Sequence, residues 1–213
     1  MKRVAGLSFA KAVVWYGLSV LKSPGRESEF HYFPFDINRP LPVGAAGLMD
    51  QLCGALEGLS VHYRVTDGTV LGLHRDKGFI PHDNDIDIDV LDCSDPARLH
   101  RCMRSRGMHL GRRVYRHGQI QQLAYYSDNQ IIFDMAFWYR DGDKVVNLEE
   151  PGYRREQPLA YFSKLGSLHW NGRTYPVPSN LEEWLAFRFG NDWRTPKRSK
   201  EDWKQECLDL VKL

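Results

Sequence analysis

The chain has 213 residues, with 29 basic and 27 acidic side chains for a formal charge of +2, and is 42% hydrophobic and 26% charged. This excludes a disordered chain and a multi-span membrane protein, and the length allows one domain with extensions and a core needing no metal or disulfide staple. The small basic excess argues against bulk binding to duplex DNA or RNA, so no nucleic-acid partner is expected. The four cysteines, Cys53, Cys93, Cys102 and Cys207, form no C-x-x-C pair and fit no zinc spacing. They are expected as free thiols in a reducing compartment, which places the protein in the cytoplasm.

Residues 1–22 pattern as a basic amphipathic helix. Ser8, Lys11, Ser19 and Lys22 share one side with Trp15, opposite Leu7, Val14, Leu18 and Leu21. Such a helix lies on a membrane surface or a partner, or packs on its own domain, and no cleavage site follows it as in a signal peptide. Ser23–Pro42 is rich in proline, glycine and charge and reads as an extended connector. A boundary at residue 40 separates this N-terminal segment from a domain at 41–213.

Leu48, Leu52, Leu56 and Leu59 give residues 44–59 a helical stripe, and Val61, Tyr63 and Val65 alternate as a strand. Asp67, Gly68 and Thr69 follow as a turn or helix start, with a short helix over 69–77 ended by Gly78 and Pro81. Asp95 before Pro96 marks another helix start, stopped at Gly107 and loaded with Arg98, Arg101, Arg104 and Arg106. Arg112, Arg113, Arg116 and His117 form a second basic cluster, read as a solvated loop or as a contact for an anionic acceptor or membrane. Gln119–Tyr126 and Ile131–Tyr139 form a hairpin, with a third strand at Lys144–Leu148. Asn180 with Glu183 resembles a capping box on a helix closed by Gly190, and Ser199 with Asp202 begins a last helix carrying Trp203, Leu208 and Val211. The fold class predicted is α+β, a mixed sheet flanked by helices with C-terminal helices.

Residues 83–91 alternate strictly. Asp83, Asp85, Asp87 and Asp89 take one face of a strand, and Ile86, Ile88 and Val90 take the other. Carboxylates about 6.5–7 Å apart along a half-buried strand repel, and a cation relieves that repulsion. Hard oxygen ligands without His or Cys point to Mg²⁺ or Mn²⁺. A calcium loop is excluded, because its sixth and twelfth positions would be Ile88 and Ser94. A solvated acidic face is the bland alternative. Upstream, Gly68 and Thr69 open a helix after a strand, a junction that offers backbone N–H groups to a phosphate, with Arg75 in reach.

Gly68 and Thr69 followed by Asp85, Ile86, Asp87 and Ile88 resemble the signature of DNA polymerase beta-like nucleotidyltransferases. The longer strings Asp67–Arg75 and Ile80–Ile88, with Val177, Pro178 and Asn180 and then Phe189–Trp193 and Pro196, resemble one branch, the LicD/fukutin family. His82 stands where that family often carries Trp. The resemblance covers about residues 45–197. It implies a metal-dependent transferase that moves a phospho-alcohol from a CDP-alcohol, of the choline, ribitol or glycerol class, to a hydroxyl of a cell-surface glycan or its lipid-linked precursor. CMP leaves. In that picture Asp85, Asp87 and Asp134 hold up to two ions, Asp83 or Asp134 accepts the hydroxyl proton, and Gly68, Thr69, Gly72 and Arg75 bind the donor. The same carboxylates would serve a nucleotidyltransferase that moves NMP from an NTP to a small-molecule hydroxyl, and a non-catalytic nucleotide-binding module is the third reading.

Overall fold

Period-two segments joined by short turns build most of the molecule, whose computed structural model describes residues 27–197 and 208–213. The strands are β1 (Ser28–His31), β2 (Tyr63–Val65), β3 (Asp85–Leu91), β4 (His109–Arg116), β5 (Gln119–Tyr126), β6 (Ile132–Asp141), β7 (Lys144–Asn147), β8 (Tyr153–Pro158), β9 (Gly166–Trp170), β10 (Arg173–Val177) and β11 (Leu210–Lys212). The helices are α1 (Ala45–Gly58), α2 (Asp67–Arg75), α3 (Pro96–Arg104), α4 (Ala160–Ser163) and α5 (Leu181–Phe189).

Nine strands form one mixed sheet in the order β1-β4-β5-β6-β7-β8-β11. The first half of β6 also pairs with β3, and β3 with β2. β3 and β6 run parallel, in contrast to the antiparallel pairs around them. A parallel pair needs a crossover, and here α3, β4 and β5 supply it. β9 and β10 form a separate hairpin. Fold class and the flanking helices agree with the sequence reading.

The core lies between the aliphatic face of β3 and the helices. Ile86, Ile88 and Val90 are fully buried, as are Met49, Leu52 and Leu56 of α1. The α1 stripe thus covers the face of β3 opposite its carboxylates. Trp184 of α5 is also in the core, and it donates to Gln157 Oε1 at 3.0 Å.

Several local readings are corrected. The connector contains β1, which pairs with β4 from Ser28↔Tyr115 to His31↔Arg112. The second basic cluster is not a solvated loop, since Arg112, Arg113 and Arg116 sit in β4. Asn180 has φ 50° and makes no side-chain cap bond; its Nδ2 instead donates to Glu183 Oε2 at 3.2 Å. Leu208 is in a turn and Val211 in β11, so neither belongs to the predicted last helix. The amphipathic segment 1–22, together with Ser199, Asp202, Trp203 and Cys207, lies outside the described residues. Cys53, Cys93 and Cys102 are free thiols. No helix among the described residues is long and apolar enough to cross a membrane.

Candidate active site

The strand begins at Asp85 and not at Asp83, so β3 carries three of the four carboxylates and Asp83 stands just before it; the four have two different fates. Asp89, at the inner end, is fully buried and fully partnered. Arg64 of β2 donates to its Oδ2 from Nε at 2.9 Å and from Nη2 at 2.8 Å, and Trp138 Nε1 donates to Oδ1 at 2.6 Å. The guanidinium itself lies 3.5 Å from the centre of the Phe162 ring. Asp89 is therefore committed to holding β2 and β6 against β3.

Asp83, Asp85 and Asp87 have no such cation. One carboxylate oxygen from each falls within a cluster whose members are all within 4.8 Å of one another. Among the described residues, no Lys, Arg or His nitrogen comes within 4.0 Å of them. Burial pushes the Asp83 carboxyl up to about 6. Burial, followed by repulsion from the neighbouring carboxylates, pushes Asp85 and Asp87 well above the usual range. A divalent cation would remove both penalties at once, so the donor set fits Mg²⁺ or Mn²⁺.

The parallel pairing brings Asp134 beside them. Asp87 and Asp134 are direct register partners, so their side chains leave the sheet on the same face. Gln122 of β5 donates to Asp134 Oδ2 at 2.7 Å, while Oδ1 is buried without a partner. Burial pushes this carboxyl to about 6, against the opposing pull of Arg112. The cluster of three within 4.8 Å comprises Asp83, Asp85 and Asp87, with Asp134 next to it on the adjoining strand.

The turn before α2 fastens this group. Thr69 Oγ1 accepts from the Asp87 N–H at 2.8 Å, and the Thr69 N–H points back to Asp87 Oδ2 at 3.3 Å. Thr69 is fully buried and orients Asp87. Gly68 is needed for space, since a Cβ there would sit 2.6 Å from Asp83 Oδ2. Gly72, grouped by sequence with the donor cradle, serves packing instead. Its Cβ would fall 2.6 Å from the Gly78 carbonyl and 2.9 Å from the Ile80 nitrogen. Arg75 is held by Asp76 at 2.7 Å and donates to the Trp193 carbonyl at 3.2 Å, so it pairs with none of the crowded aspartates.

Three acidic residues went unassigned in the sequence reading. Asp67 begins α2 in the left-handed region, at φ 44°. Burial opposes its charge, but Arg188 at 2.7 Å and Arg155 at 3.3 Å outweigh that and hold its carboxyl at about 2. Asp209, just before β11, binds Arg155 at 3.2 Å and accepts from Gln157 Nε2 at 2.9 Å, which ties the chain's last strand to the same turn. Glu149, after β7, is buried, and burial pushes its carboxyl up to about 7, with Arg155 opposing and Asp134 adding to the rise. No local pattern marks these residues, because the arginines that explain Asp67 stand 88 and 121 positions away.

A sheet with this carboxylate face and a Gly-Thr turn beside it defines a nucleotidyltransferase-like domain. The same fold appears in the lincosamide antibiotic adenylyltransferase LnuA with lincomycin bound, at TM-score 0.50 and 14% identity, over 76% of this chain and 92% of that one. The family model for the LicD/FKTN/FKRP nucleotidyltransferase domain matches residues 60–180, and the chain belongs to that family. It is 22% identical over 163 residues to mouse ribitol-5-phosphate transferase FKTN, covering 75% of this chain and 35% of the relative. The human FKTN protein gives 21% over 164 residues, covering 76% and 35%. The chain thus spans about a third of the length of the curated relatives it matches.

Proposed function

We propose that the protein is a metal-dependent phosphotransferase that moves a phospho-alcohol from a CDP-alcohol to a glycan hydroxyl. The observation that carries this reading is the cluster of Asp83, Asp85 and Asp87, half-buried without a cation among the described residues, with Asp87 in register with Asp134. Family membership supports the choice of phospho-alcohol over other transferred groups. Asp83, Asp85 and Asp87 would hold Mg²⁺ or Mn²⁺, which when bound neutralises the phosphate oxygens of the donor.

The acceptor hydroxyl oxygen forms a bond to the phosphorus that bears the alcohol, and the bond from that phosphorus to the bridging oxygen breaks. CMP carries the bridging oxygen away. Asp134, with a free oxygen and a carboxyl near 6, accepts the hydroxyl proton and passes it to solvent. Thr69 keeps Asp87 among the other cation-holding carboxylates, and Gln122 fixes the Asp134 carboxyl. The Gly68–Thr69 turn lies at the start of α2, whose positive end favours the donor diphosphate. The free thiols support a cytoplasmic location.

Incubating the chain with CDP-ribitol, CDP-glycerol or CDP-choline, Mg²⁺ and a panel of glycans, capsule and lipopolysaccharide fragments included, should release CMP and a modified glycan. Pyrophosphate release from an NTP with no CMP from any CDP-alcohol would overturn this in favour of nucleotidyl transfer, the chemistry for which the adenylyltransferase LnuA is named.

A further inference from the structure

Charge is unevenly distributed along this nearly neutral chain. Between Asp95 and Asp128 there is no acidic residue, while the same stretch carries seven arginines. Two of them, Arg112 and Arg116, pair with Glu29. Arg98, Arg101, Arg104 and Arg106 are exposed, and among the described residues none has a carboxylate oxygen within 4.0 Å. Leu99 and Met103 bury the opposite side of α3, so the helix presents its guanidiniums outward on successive turns, about 5 Å apart. Arg98, Arg101 and Arg106 also line a groove of about 450 Å³ against Gly58 and Leu59 at the end of α1.

Four like charges on one surface repel unless an anion meets them. The two segments outside the described residues bring no net negative charge to cover them. Residues 1–26 contain Lys2, Arg3, Lys11, Lys22 and Arg26 and no acid, and residues 198–207 carry three charges of each sign. The groove has no aromatic ring on which a nucleic-acid base could stack. The arginines project from the exposed side of a helix and the turn after it, where a layer of phosphates can meet them together.

We propose that the outer face of α3, together with the turn that follows it, is a docking surface for an anionic membrane, with Arg98, Arg101, Arg104 and Arg106 seated among lipid phosphates. The basic N-terminal stretch has the same sign and would act alongside it. α1 leads away from this face toward Leu41, whose N–H bonds the Asp83 carbonyl at 2.8 Å. The inference does not depend on the transferase reading.

The test uses the whole chain and two vesicle preparations, phosphatidylcholine alone and phosphatidylcholine with about 30% phosphatidylglycerol. Cosedimentation is expected only with the anionic vesicles, and should weaken as salt rises from about 0.1 to 0.5 M. An Arg98→Gln/Arg101→Gln double variant should bind roughly 25-fold more weakly, from about fivefold per arginine. The single Arg101→Gln variant should lose about fivefold, and circular dichroism on both checks that the fold is intact. Equal binding to neutral vesicles, parent-like binding by a folded double variant, absence of binding by the parent, or preference for tRNA over anionic vesicles would each overturn the proposal.

Discussion

Replacing Asp87 by asparagine should stabilise the metal-free protein and abolish its response to divalent cations. Asp87 lies among carboxylates whose oxygens are within 4.8 Å, with no cation beside them among the described residues. Two full charges at that distance repel by about 3 kcal/mol at an effective dielectric of about 20. Burial adds a desolvation cost that keeps the carboxyl well above its usual range. An amide of the same shape carries neither penalty. It can still accept from the Thr69 N–H through its oxygen, with a bond weaker by about 1 kcal/mol. The net gain is about 1–2 kcal/mol, or about 3–6 °C in melting temperature for a domain of this size.

The parent protein behaves in the opposite way. A cation at about 100 times its dissociation constant adds about 2.7 kcal/mol, or about 5–10 °C. Thermal melts at neutral pH in EDTA, Mg²⁺ and Mn²⁺ would therefore cross: the variant is more stable without metal, the parent with it. If the variant melts lower in EDTA and gains as much from Mg²⁺ as the parent does, the acidic face is not a cation site.

Three further outcomes follow from the same geometry. Asp134→Asn keeps a partner for Gln122 but loses the proton acceptor, so CMP release should fall by at least about 100-fold while the fold persists. Because burial raises the Asp134 carboxyl to about 6 in the folded state, the native form binds the extra proton between about pH 4 and 6. The stability it gives in EDTA is thus lost as pH rises, and the melting advantage of the asparagine variant should widen from pH 4.5 to 7. Arg188→Met removes the nearest partner of buried Asp67 and should cost about 3–5 kcal/mol in urea denaturation at neutral pH. Asp67 is held at about 2, so that stabilisation is complete above its unfolded value and fades on acidification; the cost should shrink between pH 5 and 3. Gly72→Ala forces a methyl against the Gly78 carbonyl, so thermal melts should show a loss of about 1–3 kcal/mol with cation binding retained.

The carboxylate strand was legible because two independent periodicities agree in it: acids at odd positions, aliphatics at even ones. The hairpin of β5 and β6 was equally open to reading, and its first strand falls where the alternation placed it. β4 was hidden by its own geometry. The ladder slips between Leu110 and Arg112, so the apolar positions Leu110 and Val114 lose their regular alternation with the residues between them. Gly111 at that slip lies against Phe33, which leaves no room for a side chain. β8 reads as a charged loop, because Arg155 and Gln157 are buried by partners far away in sequence. The β9–β10 hairpin did carry a local signal: Asn171 and Gly172 both have positive φ, as a tight two-residue turn requires.

The parallel register of Asp87 with Asp134 has a temporal consequence. These residues are 47 positions apart, and they become neighbours only after the intervening helix and hairpin have formed and β6 has slotted in beside β3. Non-local pairing of this kind comes late on a folding route. The proton-accepting carboxylate therefore joins the three cation ligands, themselves neighbours in sequence, only when the molecule is nearly finished. Changes at Asp134 should register in the rate of escape from the native state, leaving the speed of arrival almost untouched.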